Sequence, residues 1–228
     1  STRPGGGVYG AGAREVPASE EADRLLPVLE LLRRETGAPL SVDTRKGEVA
    51  RQVLAAGADL INDVSAVADP ELGRAVARAG CPLVLMHSRG EIATMQVDVR
   101  FGDLLGEVAG ELAAARARAE ALGVSPEQVI VDPGLGFGKT AAQNLTLLRR
   151  LDALDELGRP VLVGASRKSF LGAVTGAPAA ERLPESLAAA AWAAAHRAAI
   201  VRVHDVAQTV RFLDVYEAIA RSEGGESV

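Results

Sequence analysis

The sequence predicts an α/β fold of the (β/α)8 TIM-barrel type, and three observations carry that prediction. Six short apolar runs each end on polar or charged residues: LSVDT (40–44), LINDVS (60–65), PLVLMH (82–87), VIVDPG (129–134), PVLVGASRKS (160–169) and IVRVHD (200–205). Alanine- and leucine-rich stretches with helical spacing separate them, so the order is strand, loop, helix, repeated. With 228 residues, 48% of them hydrophobic but only 3% aromatic, the chain suits one large domain, residues 1–228, with a core of Ala, Val and Leu. In such a barrel the strand bodies fill the core and the active site collects at the C-terminal strand ends. Function is therefore sought at Asp43, Asn62, His87, Asp132, Lys168, Arg202 and His204.

The opening STRPGGGVYGAGAREVPASEEADRLL reads as a glycine-rich loop followed by a helix start, with Ser19 as N-cap and Glu20 and Glu21 suiting the positive helix end. A barrel needs eight strands, typically over about 250 residues. Six βα units are visible here, so the first one or two are expected upstream of Ser1; an open six-stranded parallel sheet is the alternative. The first strand precedes the helical GEVARQVLAAG (47–57) and the second precedes PELGRAVARAG (70–80). Cys81, the single cysteine, sits before Pro82 at the start of the third strand; it excludes an intrachain disulfide and reads as a small core residue in a reducing, cytoplasmic setting. The fourth strand runs into the glycine-rich GLGFGKT (134–140), and the fifth turns into a helix at SRKSF (166–170). The helix SLAAAAWAAAHRAA (186–199), with His196 inside it, leads to the last strand. No run reaches the roughly 18 apolar residues of a membrane span.

A net charge of −5 argues against binding to a nucleic-acid backbone. Of the 25 basic residues only three are Lys, namely Lys46, Lys139 and Lys168, each just past a predicted strand. In a chain that otherwise uses Arg, a Lys is expected where a compact ammonium does what a planar guanidinium cannot, or where it merely flanks a turn. GLGFGKT is not a nucleotide-triphosphate loop, because position 133 is Pro where that motif needs Gly, and its glycines lack the dinucleotide spacing. GASRK (164–168) begins like a nucleophile elbow but has Lys168 in place of the second Gly. The three His and one Cys have no zinc-like spacing.

The remaining groups describe a ligand with two ends. Asp43 and Asp132 end buried strands, where a carboxylate is costly unless it meets a cation or paired N–H donors. A planar heterocycle with an amino group beside a ring N–H offers such a pair, and the Asn62 amide can match donors or acceptors on its edge. At the other end, the turn at Lys168 and Ser169 has free N–H groups that favour an anion. Arg202 and His204, two residues apart on one face of the last strand, can converge on a phosphate.

STRPG, SVDT, INDV, LMH with TMQ, DPGLGFGKT, GASRKSFLG and RVHDV, in this order, resemble the dihydropteroate synthase family over nearly the whole chain. The resemblance implies a (β/α)8 barrel, commonly a homodimer, that joins a pterin bearing a methyl pyrophosphate to 4-aminobenzoate with Mg²⁺ and releases pyrophosphate in folate biosynthesis. It implies pterin contacts from Asp43, Asn62, Asp132, Lys168 and Arg202, and pyrophosphate contacts from Thr2, Arg202 and His204. It implies aminobenzoate contacts from Thr2, Pro4, Phe137, Lys168 and Ser169, with Arg3 in the same loop, and makes Asp43, Asp132, Lys168 and Arg202 the catalytic set. The family's metal-holding Asn has no counterpart here and would lie upstream of Ser1. Ser88, Ile92 and Glu185 depart from the family pattern, where Met, Pro and Gly are usual. Two alternatives remain: a pterin-binding methyltransferase barrel, which lacks the SRKSF and RVHD anion sites, and an inactive pterin-binding fragment.

Overall fold

A computed structural model describes residues 16–90 and 100–222. Ser1, Thr2, Arg3, Pro4 and Ile92, with the TMQ segment, lie outside the described residues. The strands are β1 (Ser41–Asp43), β2 (Leu60–Asp63), β3 (Leu83–Met86), β4 (Val129–Asp132), β5 (Val161–Val163) and β6 (Ala198–Val201). All pair in parallel, in chain order. The helices are α1 (Ala18–Glu35), α2 (Gly47–Ala55), α3 (Pro70–Ala79), α4 (Leu104–Ala121), α5 (Ala141–Arg149), α6 (Ser169–Thr175), α7 (Leu183–Ala195) and α8 (Val206–Arg221). Every strand leads into a helix, which is the connection that parallel neighbours require.

The sheet is curled, and one ion pair demonstrates it. Arg202, just past β6, places Nη2 2.6 Å from Asp43 Oδ2 at the end of β1. In a flat sheet, five spacings of about 4.8 Å would separate these edge strands by about 24 Å. The two side chains together span less than half of that. The six strands thus form an arc of a barrel, and the open-sheet alternative fails.

Strand register then sorts the side chains into two faces. Asp43 aligns with Asn62, Asn62 with Val84, and Val84 with Ile130, so Asp132, two residues beyond Ile130, points to the same face. Leu162 aligns with Ile200, which places Gly164 and Arg202 on one face two residues further along. The opposite parity, Val42, Ile61, Leu83, Leu85, Val129, Val131, Val161, Val163 and Val201, packs with helix residues such as Val49, Leu72, Leu112 and Leu147 in one continuous apolar cluster. Strands covered on both sides carry near-continuous apolar runs, which is why β3 is buried throughout.

Local signals explain the helices. Asp69 caps α3 by accepting from the Glu71 N–H at 2.9 Å, Pro70 fills the first turn, and Gly80 closes the other end in the left-handed conformation. α1 corrects an expectation: it begins at Ala18 with Pro17 as N-cap, and Ser19 lies inside the first turn. Glu21 turns inward there, accepting from Thr44 Oγ1 at 2.6 Å and Lys46 Nζ at 2.8 Å, so Lys46 ties α1 to the β1 end. α7 stops at Ala195, so His196 stands just past the helix, stacked on Trp192 with ring centroids 4.2 Å apart. β6 ends at Val201, before Arg202 and His204, although the Arg202 N–H still donates to the Val163 carbonyl at 2.9 Å. Cys81 is a buried free thiol, as a core residue should be.

Candidate active site

Asp43, Asn62, Asp132 and Arg202 come from four strand ends and share the face away from the helices. Asn62 is the most telling of them. Only 4% of it is exposed, yet neither its amide nitrogen nor its amide oxygen has a hydrogen-bond partner among the described residues. A buried amide left unpaired costs roughly 1–3 kcal/mol for each group, which marks this position out from the other strand ends. Asp132 points to the same face and is also buried; its Oδ1 accepts from the Gly134 N–H at 2.7 Å. Burial pushes the Asp132 carboxyl above the usual carboxylate range, against the opposing pull of Lys168, the Gly134 N–H, Lys139 and Arg202.

The loop after β4 is made by its backbone. Gly134 has φ +65°, and a Cβ there would lie 1.8 Å from the His87 carbonyl oxygen, so only glycine can stand at this position. Asn144, buried at the start of α5 and not singled out in the sequence, accepts from the Gly136 N–H at 2.6 Å and donates to the Thr140 carbonyl at 2.8 Å. Thr140 and Gln143 form a capping box beneath it. The loop presents Phe137, and Lys168 stands 4.7 Å from the centre of that ring while donating to the Leu135 carbonyl.

On the anion side the structure departs from expectation in two ways. Arg202 is paired with Asp43, whereas Asp205 is held by a fork from Arg167 at 2.5 and 3.0 Å. His204 is anchored by Ser166, whose Oγ lies 3.0 Å from Nδ1 and accepts from the His204 N–H at 3.2 Å. Arg202 still follows the β5–β6 ladder through its Val163 contact, whereas His204, further past the strand, is oriented by the serine. Ser169 is exposed at the start of α6, whose N-cap is Lys168. His87 belongs to the other face: it is buried toward α4, with Nε2 3.0 Å from Glu111 Oε2. Among the family departures, Ser88 is half-buried beside it, and Glu185, in the first turn of α7, accepts from Thr175 Oγ1 at 2.6 Å.

No three His, Cys, Asp or Glu side chains converge as metal ligands among the described residues. These residues do not by themselves fit a magnesium cage. None of the helices described is long and apolar enough to cross a membrane.

A curled parallel sheet, with carboxylates and an unpaired amide at one end of its concave face and Lys and Arg beside them, defines a barrel enzyme for a donor-rich heterocycle attached to an anion. Comparison with known proteins is specific. Residues 5–204 match the family model described as "Pterin binding enzyme". Dihydropteroate synthase of Synechocystis is 46% identical over 223 residues, covering 97% of this chain and 75% of that protein. Dihydropteroate synthase of Yersinia pestis, solved with a sulfonamide drug complex, superposes with a TM-score of 0.91 at 38% identity, over 95% of this chain and 79% of that one. The Xanthomonas albilineans enzyme in complex with 7,8-dihydropteroate gives 0.85 at 42% identity, over 92% and 80%. The chain belongs to the dihydropteroate synthases, transferases of the pterin-binding enzyme family.

Proposed function

We propose that this chain transfers a pterin methylene from its pyrophosphate to the amine of 4-aminobenzoate, with Asp132, Asn62 and Asp43 on the pterin and Arg202 and His204 on the leaving group. The C–O bond to pyrophosphate breaks, a C–N bond forms, and the amine gives up a proton. The unpaired Asn62 amide on the same face as two carboxylates is the observation that supports this best. A pterin edge, with amino and ring N–H donors beside acceptors, satisfies all three side chains. The carboxylates, Asp132 buried and Asp43 half-buried, also favour the positive charge that spreads into the pterin as pyrophosphate leaves, and Arg202 takes up the charge appearing on the departing oxygen. The scheme needs no covalent nucleophile, in keeping with the altered elbow motif.

Phe137, Lys168 and Ser169 are assigned to the aminobenzoate side, with Thr2 and Pro4 from the opening loop covering it and Thr2 also meeting the pyrophosphate. Mg²⁺ belongs to the proposal as a companion of the pyrophosphate, since this ion is commonly held by one or two carboxylates and substrate phosphates. A cytoplasmic homodimer completes it, supported by the buried free Cys81 and by the exposed apolar side chains of Val206, Val210, Val215 and Ile219 on α8.

The test is release of pyrophosphate that depends on 4-aminobenzoate; release without it, or none in its presence, would overturn the assignment. A variant sharpens the test. Lys168 lies along bare glycine backbone: a Cβ on Gly136 would come within 3.0 Å of its Cδ, and one on Gly164 within 4.0 Å of its Nζ. A guanidinium is wider than that slot, so Lys168→Arg is expected to lower kcat/KM about tenfold or more although charge is kept, in line with overpacking costs of roughly 1–3 kcal/mol. Wild-type kinetics in Lys168→Arg would show that only the charge matters.

A further inference from the structure

The strongest feature that the proposed chemistry leaves unused lies behind the catalytic loop. Lys139 is 2% exposed. Its ammonium donates to the Gly134 carbonyl at 3.0 Å and the Phe137 carbonyl at 2.9 Å, and lies 2.8 Å from His87 Nδ1. An ammonium has three N–H groups, and three neutral acceptors are in place for them. Burying a cation against neutral partners is costly, so its retention calls for a reason other than stability.

We propose that Lys139 is a positioning residue for the aminobenzoate side of the site: seated on the helix side of the sheet, it fixes the loop backbone that presents Phe137 and the Leu135 carbonyl to the reacting groups. Two lysines pull on one short loop from opposite sides. Lys139 holds the carbonyls of Gly134 and Phe137 from behind, and Lys168 holds that of Leu135 from within the site. The relay behind Lys139 is directional. His87 must turn the lone pair of Nδ1 toward the ammonium, which puts its proton on Nε2, an atom without a hydrogen-bond partner among the described residues although Glu111 Oε2 lies 3.0 Å away. Glu111 is in turn paired with Arg89, which also reaches Glu107 at 2.7 Å.

The groups facing Lys139 are His87 and Arg89 after β3, Glu111 on α4, Asp132 on β4 and Lys168 after β5. Burial pulls the Lys139 ammonium down to about 7; the charges of Asp132 and Glu111 oppose this, while those of Lys168 and Arg89 add to it. His87 is held down to about 4, by burial first and the Lys139 charge second, and so stays neutral and able to accept. Below the Lys139 value all three contacts are made. Above it a neutral amine has two N–H groups for three acceptors, and one of the three contacts is lost.

This inference rests on the placing of Phe137 beside aminobenzoate, so the experiment includes a variant for each. Wild type, Lys139→Met and Phe137→Ala are compared by hydrogen exchange of the loop amides and by KM for each substrate from about pH 6 to 9, where the linked titration falls. In wild type the aminobenzoate KM should rise as pH passes 7, because the ammonium is lost. In Lys139→Met it should be about tenfold higher and without that step, with the pterin KM moved far less and the loop amides exchanging faster. A wild-type aminobenzoate KM and wild-type loop exchange in Lys139→Met overturn the role given to Lys139. An unchanged aminobenzoate KM in Phe137→Ala overturns the aromatic contact instead. Should Lys139→Met not fold, Glu111→Gln at the solvent end of the relay is expected to raise the aminobenzoate KM in the same direction, and a wild-type value there overturns the proposal.

Discussion

Asp132→Asn is expected to weaken the binding of a pterin analogue by about 2 kcal/mol or more, roughly thirtyfold, the scale of a lost hydrogen bond to a charged group. The carboxylate is the buried anion on which the charges of Lys168, Lys139 and Arg202 all act. The Gly134 N–H occupies Oδ1, so an amide that keeps its oxygen there must point its NH2 at the ligand, where the pterin already offers donors. Two donors then face each other in a dry site. The pH dependence has a definite sign. Burial raises the pKa in the free protein, ligand N–H groups favour the ionised form, and binding therefore releases a proton wherever Asp132 is protonated beforehand. Pterin affinity should fall as pH drops through that raised pKa, and Asp132→Asn should lose this dependence. Calorimetry at several pH values reads both effects; an affinity equal to wild type would remove Asp132 from the pterin site.

What the sequence made legible and what it hid divide along one physical line. Strand ends such as Asp43, Asn62 and Asp132 were readable because each breaks an apolar run, and the run itself is forced by burial on both faces of a parallel strand. The face a residue occupies was not readable. His87 and Asp132 each follow an apolar strand, yet a difference of one residue in register sends the first behind the sheet and the second into the site. In the same way Asp63, next to Asn62, turns outward and is consumed by the Ser65 and Val67 N–H groups at 2.7 and 2.6 Å. Lys139 could not be separated from a turn-flanking lysine because its partner His87 is 52 residues away. The scarcity of Lys was the only clue. Asn144 and Glu21 carried no clue at all, since a buried polar residue inside an amphipathic helix is written like an exposed one until the loop it serves is in place.

Arg202→Ala is expected to lower turnover about a hundredfold or more, the effect of deleting one preorganised donor to charge that develops in the transition state. Its weaker alternative role is visible in the structure, because the guanidinium already has a partner in Asp43 at 2.6 Å. If holding Asp43 were all that Arg202 did, Arg202→Ala and Asp43→Asn would injure pterin binding alike, and a double-mutant cycle would show the two losses collapsing into one. The leaving-group role predicts a different pattern. The Arg202 side chain is 38% exposed, so its remaining N–H groups can reach a phosphate while one still holds Asp43. Charge on the bridging oxygen grows as the C–O bond breaks, and the contact strengthens as it does so, which places its loss in kcat more than in pterin KM. Inhibition by added pyrophosphate should weaken at the same time in Arg202→Ala and stay near wild type in Asp43→Asn. His204→Ala should follow Arg202→Ala in direction but by less, since Ser166 holds one side of that imidazole and the ring brings no fixed charge. Equal turnover losses in Arg202→Ala and Asp43→Asn, with pyrophosphate inhibition unmoved in both, would return Arg202 to the role of a structural partner.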